Sequence, residues 1–236
     1  MTWKKLEKRI YNPYSEIDQI TVLQGKSGKL YPGVRIENLS FPLTMDAVAV
    51  AFCSCISEGD IPAQLFMPGK PDRLAEGWCL EFGINCTTGN PPEDELFNPV
   101  IPMEDTHPFT ILKEVAQHAR VPNSDFRVSA LIETESGYIA GANIETEAWV
   151  NGLCAERVAL GKAIASGETT FAAVHIYAPR ADFLSPCGAC RQVLLEHMPH
   201  HPVLLYYNDG SSSEYFTSHL LPYHFNSAWL RQKKQK

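Results

Sequence analysis

Residues 13–59 of this chain and residues 122–167 carry the same punctuation in the same order, and no other feature of the sequence constrains the fold as strongly. The first stretch reads Pro13-Tyr14-Ser15, Tyr31-Pro32-Gly33, Ile36-Glu37, Phe41 and Ser57-Glu58-Gly59. The second reads Pro122-Asn123-Ser124, Tyr138-Ile139-Ala140-Gly141, Ile144-Glu145, Trp149 and Ala165-Ser166-Gly167. Glu145 − Glu37, Trp149 − Phe41 and Gly167 − Gly59 all give 108, while Ser124 − Ser15 gives 109, a one-residue slip in a turn. One such match is chance. Several at one offset indicate an internal duplication, so the 236 residues divide into two copies of one unit.

The boundary between the copies is marked by composition. Residues 89–107 hold Gly89, Asn90, Pro91, Pro92, Pro99 and Pro102 together with Glu93, Asp94, Glu95, Glu104 and Asp105. Proline removes backbone donors and dense acid disfavours burial, so this reads as a linker. The expected organisation is a first unit over 1–88, a linker over 89–107 and a second unit over 108–236.

Pattern gives the second unit's elements. Thr110 to Ala119 has Ile111, Leu112, Val115 and Ala116 at helical spacing. Phe126 to Glu133 alternates like a strand, Gly137 turns the chain, and Tyr138 to Asn143 returns. Leu153 to Ala165 reads as a helix closed by Gly167, and Gly188 to His197 as another. Ala172 to Ala178 and Pro202 to Tyr207 read as strands. Strands alternating with helices predict an α/β unit of three layers.

Bulk properties exclude several partners. Net charge is −7 with a pI near 5.6, which gives no general attraction to nucleic acid or anionic membranes. The basic run Arg231 to Lys236 reads as a frayed, solvated end. The first residues have charges but no apolar run behind them, and no segment is long and apolar enough to span a bilayer. A soluble, cytoplasmic protein is expected. Seven cysteines, an odd number, argue for thiols kept for metal or chemistry rather than disulfides.

Three of those cysteines sit at helix starts. Cys154-Ala155-Glu156 opens one predicted helix, and Pro186-Cys187-Gly188-Ala189-Cys190 opens another. Three thiolates can hold a catalytic zinc whose fourth position stays open. Free N–H groups and the dipole at two helix N-termini favour thiolates there. Arg157 and Arg191 follow the cysteines directly, and their charge would offset the anionic set; the ordinary reading of each is a surface helix charge. Glu156 stands two residues after a cysteine, near the metal without binding it. This is the layout of zinc deaminases, in which such a glutamate shuttles protons. A structural zinc would want a fourth protein ligand and has no use for the carboxylate.

Asn143-Ile144-Glu145, then Cys154-Ala155-Glu156-Arg157, then Ser185-Pro186-Cys187-Gly188-Ala189-Cys190-Arg191-Gln192 resemble the nucleoside cytidine deaminases. Leu220-Leu221-Pro222 with Phe225 resembles that family's ending. The resemblance covers nearly all of Phe126 to Phe225. It implies a cytidine deaminase-like fold, a mixed five-stranded sheet flanked by helices, here present twice in tandem. It implies Zn2+ held by Cys154, Cys187 and Cys190, with Glu156 as the proton shuttle. Asn143 and Glu145 match positions that hold ribose hydroxyls, Phe126 matches the aromatic on the pyrimidine, and Ala155 falls in the substrate-binding set. Their ordinary readings are a turn residue, a surface acid and core. The implied reaction is hydrolysis of cytidine or deoxycytidine to uridine or deoxyuridine and ammonia by zinc-bound hydroxide.

The chain departs from the family at Thr146-Glu147, at Val128 to Leu131, and at Val121 and Asn123. Ala155 to Gly167 and Arg191 to Leu195 are also similar to blasticidin-type deaminases, whose substrate is a modified cytosine nucleoside. That substrate, a polynucleotide base and a non-catalytic zinc scaffold stay as alternatives. Acidic charge opposes the polynucleotide, and Glu156 opposes the scaffold.

The first unit resembles the family in Tyr11-Asn12-Pro13-Tyr14-Ser15 and Ile36-Glu37-Asn38. At offset 108, however, Cys154 meets Asp46, Glu156 meets Val48, Cys190 meets Phe82, and only Cys187 meets a cysteine, Cys79. The expectation is a degenerate copy without a zinc site, with Cys53, Cys55 and Cys86 as core or surface thiols. The cluster His197, His200 and His201 reads as a solvated helix end. Single-unit members of the family assemble as tetramers in which neighbours help close each site. The resemblance therefore implies a homodimer of this tandem chain, with Tyr11, Tyr14 and Phe41 of the first unit near a site.

Overall fold

The computed structural model describes residues 2–92, 95–104, 106–181 and 183–225. Glu93, Asp94 and Asp105 of the expected linker and the basic run 231–236 lie outside the described residues. The first copy runs α1 (Thr2–Glu7), β1 (Ile20–Gly25), β2 (Leu30–Val34), α2 (Ala47–Ser57), β3 (Pro62–Met67), α3 (Arg73–Phe82) and β4 (Asn85–Thr88). A short β5 (Val100–Ile101) lies in the connecting segment. The second copy runs α4 (Pro108–Val115), β6 (Ser129–Thr134), β7 (Tyr138–Ala142), α5 (Ala155–Ser166), β8 (Phe171–Tyr177), α6 (Gly188–His197), β9 (Pro202–Tyr206), β10 (Ser212–Phe216) and α7 (Thr217–Leu220). None of these helices is long and apolar enough to cross a membrane.

The strands form two mixed sheets, ordered β2-β1-β3-β4 and β10-β9-β8-β6-β7-β5. In the first, β1 pairs antiparallel with β2 and β3, and β3 runs parallel to β4. In the second, β6 pairs antiparallel with β7 and β8, and β8 runs parallel to β9. The two patterns are the same. Even the lone bridges repeat, Tyr11 to Ile36 to Met45 in one copy and Arg120 to Ile144 to Leu153 in the other. Neither sheet has the expected five strands. After β4 the chain enters Pro91 and Pro92, which cannot extend a ladder, so the first sheet stops at four. The connecting segment is docked rather than free: β5 pairs with β7 as a sixth strand of the second sheet, and the Phe97 N–H donates to the Leu30 carbonyl at 2.8 Å. The expected helix over 110–119 ends as α4 at Val115 and continues as a 3-10 turn over Ala116–His118.

Each copy sets a central helix on its hairpin, and a glycine makes this possible. A Cβ at Gly33 would lie 2.0 Å from the Ala47 carbonyl oxygen, and one at Gly141 would lie 2.5 Å from that of Ala155. The bare strand thus lets the first turn of α2 or α5 sit directly on it. The two helices also pack on each other, with Gly161 of α5 against the Val50 side chain of α2. One apolar cluster runs through both copies, including Phe52 and Trp78 on one side and Ile132, Val158 and Val193 on the other. A second lies under α4 on the far face of the six-stranded sheet, around Leu112, Leu131 and Tyr206.

Contacts across this seam come in pairs. Arg9 Nη1 donates to the Ala165 carbonyl at 2.7 Å, and His118 Nδ1 lies 2.9 Å from the Ser57 carbonyl. Glu196 of α6 accepts from the Leu39 N–H at 2.7 Å, and Glu81 of α3 accepts from the Glu147 N–H at 3.2 Å. The copies are therefore related by an approximate two-fold axis between α2 and α5.

Candidate active site

Cys154 is the N-cap of α5 and Cys187 the N-cap of α6, both with extended backbone, so each sulfur stands at a helix mouth. Cys190 lies in the first turn of α6, and its N–H donates to Cys187 Sγ at 3.4 Å. The Sγ atoms of Cys154 and Cys187 are 3.7 Å apart, and all three sulfurs lie within 4.8 Å of one another. Tetrahedral zinc with bonds of about 2.3 Å to sulfur sets its ligand sulfurs about 3.8 Å apart. The donor set and its spacing fit that ion. Among the described residues no other group of histidine, cysteine, aspartate or glutamate side chains converges in this way. The thiols also govern one another's protons. Hydrogen bonding with Cys154 and Cys190 holds Cys187 well below the ordinary thiol range, and the same contacts push the other two up.

Glu156 is buried in the first turn of α5, one residue beyond the buried Ala155. Burial pushes its carboxyl up, against hydrogen bonds from its own backbone N–H and to Cys190. A buried carboxyl beside the metal cradle, its protonated form favoured by burial, stands where it can take and give a proton.

The family described as the cytidine and deoxycytidylate deaminase zinc-binding region matches residues 103–205. A cytidine deaminase of Sporosarcina psychrophila is 40% identical over 112 residues, spanning 47% of this chain and 82% of that protein. The chain belongs to the cytidine deaminase family. A cytidine deaminase of Halalkalibacterium halodurans is 38% identical over 117 residues, 48% of this chain and 89% of its own. A blasticidin-S deaminase of Bacillus cereus is 31% identical over 113 residues, 44% of this chain and 74% of its own. The crystal structure of a Burkholderia pseudomallei cytidine deaminase is 33% identical, covers 49% of this chain and 94% of its own, and has a TM-score of 0.47. Membership makes this chain a zinc-dependent hydrolytic deaminase.

Around the deaminase centre, the remaining expected residues are found in support of loops. Arg157 Nη2 donates to the Gly152 carbonyl at 3.2 Å, holding the approach to Cys154. Arg191 does the same for Cys187: Nε reaches the Pro186 carbonyl at 2.8 Å, and Nη2 reaches Ser185 Oγ at 2.6 Å. Asn143 accepts from the Val128 N–H at 2.8 Å and donates to the Phe126 carbonyl at 2.9 Å. Glu145 accepts from the N–H groups of Asn123 and Ser124 at 2.9 and 3.2 Å, and from the Ser124 hydroxyl. Phe126 follows that turn and is 39% exposed. Asn143, Glu145 and Phe126 are thus joined in one loop assembly.

The first copy has the same frame with aspartates at the two helix caps. Asp46 caps α2 through the Ala49 N–H at 2.9 Å, and Asp72 caps α3 through the Ala75 N–H at 2.9 Å. Asp46 is the counterpart of Cys154, as the offset of 108 gives. Asp72, not Cys79, is the counterpart of Cys187: the chain from Gly167 to Cys187 is seven residues longer than that from Gly59 to Asp72, which raises the offset there from 108 to 115. Cys79 is a core thiol within α3, as Cys53 and Cys55 are within α2, and Cys86 is half-buried. His197 is not a solvated helix end either. It packs edge-on against Tyr11 with ring centroids 4.7 Å apart, and burial lowers its pKa to about 4.

Glu81 and Arg120 were invisible in the sequence, because nothing in either neighbourhood signals a partner in the other copy. The Tyr11 and Tyr14 hydroxyls reach Glu196 at 3.2 and 2.7 Å, so these aromatics serve the seam rather than only their own core.

Proposed function

We propose that the chain deaminates a free cytosine nucleoside, cytidine or deoxycytidine, to the corresponding uracil nucleoside and ammonia. The observation that carries this reading is the buried Glu156 carboxyl beside three converging sulfurs. Cys154, Cys187 and Cys190 hold the zinc, which when bound supplies a Lewis acid that makes water a nucleophile near neutral pH. Glu156 takes one proton from the attacking water at its carboxylate and passes it to ring N3, then takes the proton of the new C4 hydroxyl and gives it to the departing amine, which leaves as ammonia. Arg157 and Arg191 keep the two cysteine loops in place. Phe126 packs on the base, Ala155 lies against it, and Asn143 and Glu145 face the ribose.

Residues 1–88 form a copy without zinc chemistry, 89–107 the connection, and 108–236 the catalytic unit. The working form is a homodimer in the cytoplasm, acting on free pyrimidine nucleosides in salvage. In support, the paired positions Phe41 and Trp149 are 83% and 62% exposed, which suits a second copy covering them. Lower identity to the blasticidin-S relative makes that substrate the weaker reading.

The test is ammonia release from cytidine, deoxycytidine, blasticidin S and a cytosine-bearing single-stranded oligonucleotide. The free nucleosides should react and the oligonucleotide should not. Glu156→Ala should keep its zinc and lose at least ~10²–10⁴ in rate, the scale of one general acid–base group. A variant within a few-fold of the parent protein would sink the mechanism.

A further inference from the structure

The seam contacts are paired in geometry but not in consequence. Glu196 reaches into the copy without the cysteine triad, whereas Glu81 reaches into the loop that leads to Cys154. Glu81 Oε1 lies 3.0 Å from Arg120 Nη1 and accepts from the Glu147 N–H at 3.2 Å. Phe82, the next residue, offers its ring face to the same guanidinium, 5.0 Å from the centroid. Arg120 in turn donates through Nη1 to the Glu145 carbonyl, and its own carbonyl accepts from the Glu145 N–H at 2.8 Å. The Arg120 N–H donates to the Asn143 carbonyl at 3.1 Å. The end of α3 therefore fixes one arginine, and that arginine fixes the backbone on which Asn143 and Glu145 stand. The Glu81 side chain is 12% exposed and that of Arg120 31%, so the contact is half-buried and its geometry, more than its charge, ties the two copies together here.

We propose that Glu81, a residue of the copy without zinc chemistry, is a positioning residue for nucleoside binding in the other copy. It acts through Arg120 and the Glu147 N–H on the loop carrying Asn143 and Glu145. This rests on the nucleoside-facing roles given above to Phe126, Asn143 and Glu145. A misplacement of that loop weakens ribose contact while leaving the cysteines and Glu156 where they are. The signature is therefore in KM and in nucleoside affinity rather than in kcat or zinc content.

The experiment compares the full-length zinc protein with Glu81→Ala, Glu81→Gln and Glu196→Ala, using uridine titration calorimetry, cytidine kinetics, zinc analysis and thermal melting. Glu81→Ala should raise the uridine Kd and cytidine KM roughly tenfold, within the range for a displaced positioning contact, with kcat changed less than about threefold and zinc unchanged. Glu81→Gln keeps an acceptor for the Glu147 N–H and for Arg120, so it should stay within about threefold of the parent. Glu196→Ala cuts the paired contact on the other side and should lower Tm without raising KM. Should the alanine variant not fold, Glu81→Asp, which withdraws the carboxylate by one methylene, carries the same expectation. Equal KM shifts for Glu81→Ala and Glu196→Ala, or an unmoved uridine Kd, would overturn the proposal and leave the nucleoside reading standing. A parent protein that neither binds uridine nor deaminates cytidine would overturn the nucleoside reading first, and this one with it.

Discussion

Cys154 and Cys187 both stand at helix N-cap positions, and Cys187 accepts the Cys190 N–H through its sulfur, which makes aspartate a fitting residue at the matching positions. A helix N-cap favours an acceptor for a free N–H, and Asp46 and Asp72 supply one in the first copy. Exchanging cysteine for aspartate keeps the helix start and removes the soft ligand. Burial raises the Asp46 carboxyl, with the charge of Asp72 adding to it, which disfavours the ionised form a metal would need at that position. The protein should therefore hold about one zinc per chain, by elemental analysis, since two would mean the Asp46 site binds as well. Cys187→Ala should lose metal and deamination together, because two thiolates do not complete the site.

Among the elements, α5 carries the most on the least space. Its first turn presents Cys154, Ala155 and Glu156, and that turn rests on the bare backbone of Gly141 in β7. A methyl there would meet the Ala159 nitrogen at 2.4 Å, which neither helix nor strand can yield by a side-chain rotation. Gly141→Ala should cost about 1–3 kcal/mol as an overpacked contact, read as a lower denaturation midpoint. It should also weaken zinc retention against a chelator, whereas the same change at Gly33 should destabilise without touching zinc. Helices α5 and α6 and the two cysteine motifs were legible in the sequence, because caps, glycine stops and motif spacing are local signals. The repeat was legible up to α3, where a longer loop broke the constant offset and misdirected Cys187 to Cys79. β5 and β10 were missed, the first because its segment is acidic and proline-rich. The second was missed because Ser212–Phe216, an edge strand, is mostly exposed and lacks an apolar pattern. The contacts at the seam join residues 38 to 185 positions apart, and no local pattern encodes such partners.

At the scale of the molecule, the two copies share one core, so neither half ends where its sequence ends. A fragment starting at residue 106 would bare the face of α5 that now meets α2. It should be poorly soluble or markedly less active, and a monomeric, fully active fragment in ultracentrifugation and ammonia assays would refute a structural role for the first copy. The intact chain should sediment as a dimer of tandem chains. The fragment's difficulty runs deeper than lost area. Lys162 is fully buried in α5 and takes its counter-charge from Glu58 of the other copy, with the Ala140 carbonyl 2.6 Å away. The position matching Glu58 in the second copy is Ser166. Two catalytic copies meeting on the same axis would each bury an ammonium facing a hydroxyl, and breaking a buried pair in this way costs about 3–5 kcal/mol each time. Fusion has thus done what no identical pair can. It has let the two sides of an axis become lock and key, the carboxylate of one copy answering the ammonium of the other.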